Sequence, residues 1–460
     1  MASQAIIRGF ESRCPLHRMH SGPSGPDFVK GQYMSAPMSQ EESRVAIEHL
    51  SPKIDNYAEL LIRRGVALRQ GQELVLSAPV ERADFVRRVV GKAYEAGAGH
   101  VTVIWSDDVV SRLTYQNVGR EYFEHVPSWQ REQLDSLAGA GAAFLFLEGS
   151  DPSALDGIDP AKPAAAHKAQ NTECRVFREG MDFGRNVWCI AGVPVEAWAR
   201  EVFPEFSPHE AVYRLWLAIL GVARSDGRDP QSSWETHNAT FEKNKRLLNA
   251  AAYDRLRYRS SNGTAFEVGM NEGHVWEGGS ARTVDGTVFF PNIPTEEIFT
   301  TPDRNRADGV VYSAMPLVHA GQVIDDFWIR FEAGVAVEWD ARRGKAVLDQ
   351  ILAADEGARH LGEVALISKN TPIRQSGTLF YDTLYDENAS CHLALGMGFP
   401  ECLVGGLDMD RDELLAHGVN QSTTHVDFMV GADDLDVWGV DAAGKETPIF
   451  VGGQWAWEAE

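Results

Sequence analysis

From about residue 51 the apolar positions switch between two periods. Residues 57–66 (YAELLIRRGV) repeat at helical spacing, and residues 72–77 (QELVLS) form a short apolar run of strand length. Residues 81–96 (ERADFVRRVVGKAYEA) return to the helical period and are closed by Gly97, after which residues 100–105 (HVTVIW) carry the β-branched and aromatic side chains of a central strand. Strand, helix and strand with short connections make a βαβ unit, which implies parallel pairing and a right-handed crossover. Residues 142–147 (AAFLFL) and 187–191 (VWCIA) continue the pattern, followed by helical stretches at 208–224 and 233–252. Beyond Tyr253 the texture changes to short β-rich runs between Gly, Asn and Asp turns, at 256–259, 264–268, 287–290, 328–331 and 335–339. The expected architecture is an α/β N-terminal domain with a mostly parallel sheet over residues 49–253, then a β-rich α+β C-terminal domain over 254–460. Residues 1–48, dominated by Ser, Pro, Gly and Met, read as a disordered extension, with Met34 or Met38 as alternative natural starts.

Composition narrows the class. The chain has 460 residues, 43 Lys+Arg against 66 Asp+Glu, and a formal net charge of −23, which argues against a nucleic-acid partner. No stretch approaches the roughly 18 apolar residues of a membrane span. Five scattered cysteines (Cys14, Cys174, Cys189, Cys391, Cys402) form no CxxC pair, and the first twenty residues lack a secretory apolar core, so the expected compartment is the reducing cytoplasm.

Common catalytic signatures fail on inspection. His209-Glu210 begins a zinc-protease HExxH, but Tyr213 stands where the second His must be. Gly97-Ala98-Gly99 precedes a strand instead of following one, and Thr102 replaces the last glycine of a dinucleotide fingerprint. Cys391 and His392 are sequence neighbours, and in an extended segment neighbours face opposite ways, which disfavours a thiol–imidazole pair.

The C-terminal half instead concentrates acids and histidines in apolar surroundings, where charge is costly. Glu296 and Glu297 lie between prolines in NIPTEEIFTTP, and Glu363 opens the apolar run GEVALI. Glu387 and His392 share FYDTLYDENASCHLALG, and His425 and Asp427 share THVDFMVG. His425 and Asp427, two residues apart on a strand, aim at one point while Val426 and Phe428 face the core. Two imidazoles with several carboxylates suit Zn, Mn, Co or Fe. Four acids (Glu297, Glu363, Glu387, Asp427) carry a charge of −4, which two divalent ions balance. Simpler readings exist for each part: an Arg or Lys partner for Glu363, solvated loop acids at Glu296 and Glu297, and a chance triplet at His425.

These four segments, in this order, resemble the signature segments of the thermophilic aminopeptidase family (the aminopeptidase T family, peptidase family M29), with the resemblance running from about residue 51 to the end. It implies an α/β N-terminal domain, a β-rich catalytic domain, a homodimer enclosing the active sites, and two divalent metal ions per chain, with Zn, Co or Mn foremost. Peptides with a free N-terminus are the implied substrates. The metal ligands carried over are Glu297, Glu363, Glu387, His392, His425 and Asp427, with Glu297 preferred to Glu296 because that is where the motif's ligand falls. Glu363 is the expected bridging ligand, and Glu296, beside a ligand, the expected general base. One position departs: relatives often carry a tyrosine seven residues after the motif histidine, where this chain has Phe399, and Tyr381 is a candidate to substitute for it.

Two other functions stay open on the same residues. His392, His425 and Asp427 could form the 2-His-1-carboxylate face of a mononuclear non-haem iron ring-opening dioxygenase, although Glu297, Glu363 and Glu387 favour two metals. A catalytically weak metal- or peptide-binding dimer is the third reading, prompted by Phe399.

Overall fold

The structure, a computed structural model, describes residues 37–155, 157–159, 161–319 and 322–458. They divide into two compact units. The first takes the described residues up to His237 together with Ser280–Pro294 and Ser376–Asp382, and the second takes Asn238–Gly279, Thr295–Gln375 and the remainder from Thr383.

The first unit is built on a five-stranded, wholly parallel sheet. Its strands run across in the order His100–Ser106, Glu73–Pro79, Ala143–Glu148, Trp188–Gly192 and Asn292–Ile293. The central strands are apolar on both faces, as parallel strands covered by helices must be: Leu74, Leu76, Phe144, Leu145, Cys189 and Ile190 are buried. Helix Ala83–Glu95 buries Phe85, Val86, Val89 and Ala93, the stripe its 3.6-residue period predicts. The fifth strand, only two residues long, arrives from far along the chain and has no sequence period to announce it.

Helix Gln40–His49 falls within the stretch expected to be disordered. A capping box between Ser39 and Glu42 starts it, and the backbone N–H of Met38 donates to the buried Glu210 carboxylate at 2.8 Å. The rest of the expected extension, residues 1–36, lies outside the described residues. The division between units also differs from the expected boundary at 253: it falls inside helix Pro230–Ala251. The front of that helix belongs to the first unit, where Trp234 Nε1 donates to Ala223 O at 2.8 Å. Its rear supplies Phe241 and Leu248 to the second unit's core. A texture change marks where a helix ends, not which core each of its turns serves.

The second unit holds two antiparallel sheets. A nine-stranded sheet centres on Pro302–Tyr312, Ala265–Met270, Arg255–Arg259 and Asp436–Val440. A five-stranded sheet runs His425–Met429, His392–Gly396, Leu361–Leu366, Ile298–Thr300 and Glu277–Gly278. One apolar cluster joins them, taking Phe266, Val311, Ile329 and Phe450 from the larger sheet and Val364, Leu366, Leu393, Leu395, Val426 and Phe428 from the smaller. No helix among the described residues is long and apolar enough to cross a membrane.

Half-buried His167, with desolvation first and the Arg178 charge second, has its imidazole pushed down to about 4. The unfolded chain takes up a proton near pH 6.5 that the folded chain refuses until about pH 4, so this group subtracts stability as pH falls across that window. Screening at a half-exposed site holds the effect to about 1 kcal/mol. The urea midpoint of His167→Gln is therefore expected to fall less between pH 7 and pH 5 than that of the parent; equal falls would contradict the assignment.

Candidate metal centre

The smaller sheet positions the site by alternation. Asp427 stands opposite Ala394, which in turn stands opposite Glu363, and His425 stands opposite Gly396. These residues and His392, two before Ala394, therefore share one face, while Val364, Leu393, Leu395, Val426 and Phe428 occupy the other and enter the core. Ala394 sits between two acids and, with only a methyl side chain, adds little bulk between them. Gly396 adopts φ 104°, and a Cβ there would lie 2.2 Å from Thr424 O, so the close pairing beside His425 requires glycine. Glu297 enters from the residue preceding strand Ile298–Thr300, on the opposite side of Leu361–Leu366 from His392.

Among the described residues, ligand atoms converge in two groups, each spanning no more than 4.8 Å: Glu297, Glu363 and His392, and Glu363, His425 and Asp427. All five residues are buried, and Glu363 is common to both groups. His425 Nε2 lies 3.1 Å from Glu363 Oε2 and 3.2 Å from Asp427 Oδ1. His392 Nε2 lies 3.4 Å from Glu297 Oε2 and 3.7 Å from Glu363 Oε1.

Both imidazoles turn Nδ1 to backbone carbonyls, His425 to Met397 O at 2.7 Å and His392 to Glu387 O and Ser390 O at 3.2 Å each. Only an Nδ1–H can satisfy a carbonyl, which leaves Nε2 as the atom presented to the acids; this is how a metal-binding histidine is oriented. The acids and imidazoles also act on one another. Burial opposes a charge on His425, but Asp427 and Glu363 outweigh it and raise the group to about 10. His392, against the same desolvation, is raised well above its usual value by Glu297 and Glu363. Burial pushes Glu363 up, and the two imidazoles more than offset it. Even so, Glu297 Oε2 and His392 Nε2 make no well-formed hydrogen bond. Buried, convergent, incompletely satisfied N and O donors fit one or more divalent cations.

The remaining expected residues are placed as follows. Glu387 ends helix Thr383–Glu387, is buried, and accepts from Asn388 Nδ2 at 3.3 Å through Oε1; it belongs to neither convergent group. Glu296 is buried, with its backbone N–H donating to Asn388 Oδ1 at 2.7 Å, and it too lies outside both groups. Phe399 packs on the His425 ring, with centroids 5.0 Å apart, and on Phe299 at 5.5 Å. Thr301 fixes its backbone, accepting from Phe399 N at 2.7 Å. Tyr381 belongs to the first compact unit and has φ 54°. The Cys391 thiol is tied to Ile367, donating to its carbonyl at 3.2 Å, and burial pushes it up to about 11, so it is not a nucleophile. Asn388 is not among the expected site residues; its place directly after Glu387 in the motif is the signal that points to it.

The family model described as thermophilic metalloprotease (M29) matches residues 50–455. Aminopeptidase 2 from Geobacillus stearothermophilus is 40% identical over 406 residues, 88% of this chain and 98% of the relative. Aminopeptidase T from Thermus aquaticus is 39% identical over 409 residues, 89% of this chain and 100% of the relative. Among solved structures, wild-type AmpT from Thermus thermophilus matches with a TM-score of 0.83 and 39% identity, over 88% of this chain and 100% of that one.

Proposed function

This chain belongs to the thermophilic metalloprotease family M29, and on that premise we propose that it is an aminopeptidase that removes N-terminal residues from peptides with the help of two divalent ions. The observation that carries the number two is Glu363, whose carboxylate is shared by both groups of converging ligand atoms. Glu297 and His392 would complete one position, and His425 and Asp427 the other, with Glu387 beside them as the sixth ligand. Zn, Co or Mn match this donor set. Bound there, such ions supply Lewis acidity that polarises a peptide carbonyl and brings the pKa of an attacking water toward about 7.

The chain's own groups hold, orient and move protons. Met397 O and Glu387 O fix the two imidazole planes through Nδ1. Phe399 walls one side of His425 with an apolar ring, so it offers neither a proton nor a hydrogen bond there. The substrate's first residue, with its free α-amine, is read against the same acid-rich cluster. Glu296, adjacent to Glu297, is the residue we assign to take the water's proton and return it to the leaving amine. The same reading carries a cytoplasmic homodimer. A 2-His-1-carboxylate oxygenase would need only His392, His425 and Asp427, and would leave two further buried acids, Glu297 and Glu363, within the convergent groups without a task.

Release of the first residue from aminoacyl-anilides tests the reaction. For the base, Glu296→Gln is expected to lower kcat by about 10²–10⁴-fold with metal content unchanged. Full activity with metal still bound would remove Glu296 from that role.

A further inference from the structure

Asn388 is fully buried and has each end of its amide committed. Its Oδ1 accepts from the backbone N–H of Glu296 at 2.7 Å, across 92 positions of sequence. Because that partner is a donor, the other end must be the NH2 group, which donates to Leu384 O at 2.8 Å and to Glu387 Oε1 at 3.3 Å. One side chain thus ties three things together: the loop that delivers Glu296 and Glu297, the last turn of helix Thr383–Glu387, and the Glu387 carboxylate. The backbone next to it serves the same centre, since Glu387 O receives His392 Nδ1–H.

We propose that Asn388 is a positioning residue for the metal centre, setting the Glu296–Glu297 loop and the Glu387 carboxylate in register with each other. This rests on the reading above that Glu297 and Glu387 are ligands. An amide is the side chain that does this at neutral charge: it offers an acceptor to one partner and two donors to the others. Aspartate has the same shape but cannot donate, and it would place a second negative charge against Glu387. Leucine keeps the branched heavy-atom skeleton, with bulkier methyl groups, and can do neither.

The test compares Asn388→Asp and Asn388→Leu with the parent in three measurements: Co²⁺ and Zn²⁺ titration of metal-stripped protein, the Tm of that metal-free protein, and aminoacyl-anilide hydrolysis. Groups that orient ligands from behind typically change metal affinity by about 10–100-fold, and a loss of that size for at least one ion is expected in both variants. A purely structural role would lower the metal-free Tm and leave affinity and stoichiometry intact in whichever variant folds, and that result overturns the proposal. Affinity is read without turnover, so the two ideas separate. A parent that binds ions but cleaves nothing defeats the peptidase reading alone, while a parent that binds no divalent ion overturns both.

Discussion

Glu363→Gln is expected to lower kcat/KM for aminoacyl-anilides by at least about 10²–10³-fold, the scale on which one charge-stabilising group is felt in an active site. The reason is position. Glu363 is the only residue common to both convergent groups, and its two oxygens are divided between the imidazoles, Oε2 toward His425 at 3.1 Å and Oε1 toward His392 at 3.7 Å. Glutamine keeps the shape but removes the negative charge from the middle of the cluster and offers a donor where a cation should sit. Metal content should fall with activity. A variant that keeps both its metal stoichiometry and its rate would show that Glu363 is an ordinary buried acid.

Stripping the divalent ions is expected to abolish turnover and to lower Tm by roughly 10 °C. An ion present at about 1,000 times its dissociation constant contributes about 4 kcal/mol to the folded state, and about 1 kcal/mol moves Tm by roughly 2–4 °C in a unit of this size. The buried charges supply the mechanism. Glu297, Glu363 and Asp427 crowd two imidazoles, and the raised values of His392 and His425 express how strongly that acid-rich interior seeks positive charge. Calorimetric scans of metal-free protein, with and without added Zn²⁺, check this. Superimposable scans would mean that no ion is bound by the fold.

Part of this centre was legible from one-dimensional pattern because Glu363, His392, His425 and Asp427 sit on strands, where spacing dictates direction. An i, i+2 pair such as His425 and Asp427 must share a face, and the register opposite Ala394 and Gly396 bears that geometry out. GEVALI likewise reads as a buried strand, and Leu361–Leu366 is one. The parallel sheet of the first unit followed from its βαβ texture in the same way. What pattern could not supply is anything set by distant pairing. The two-residue strand Asn292–Ile293 joins the first unit's sheet only through tertiary contact, and helix Pro230–Ala251 divides its turns between two cores. Asn388 acquires its meaning from a backbone N–H 92 residues away. Helix Gln40–His49 is a different lesson: a polar helix with little apolar surface reads as disorder until its capping box and the meeting of Met38 with Glu210 are seen. Phe399 is an expected departure from the family pattern, and its contact with the His425 ring makes it a wall of the candidate site.

The central claim is that this cluster would hold divalent ions and that the chain, with them bound, releases the first residue from peptides. The most direct measurement is hydrolysis of a panel of aminoacyl-anilides and dipeptides by metal-stripped protein, with Zn, Co or Mn added back and His425→Ala alongside. The account predicts release of the N-terminal residue that returns with metal and is lost in the variant. Ions bound at the expected positions with no hydrolysis of any substrate would contradict it.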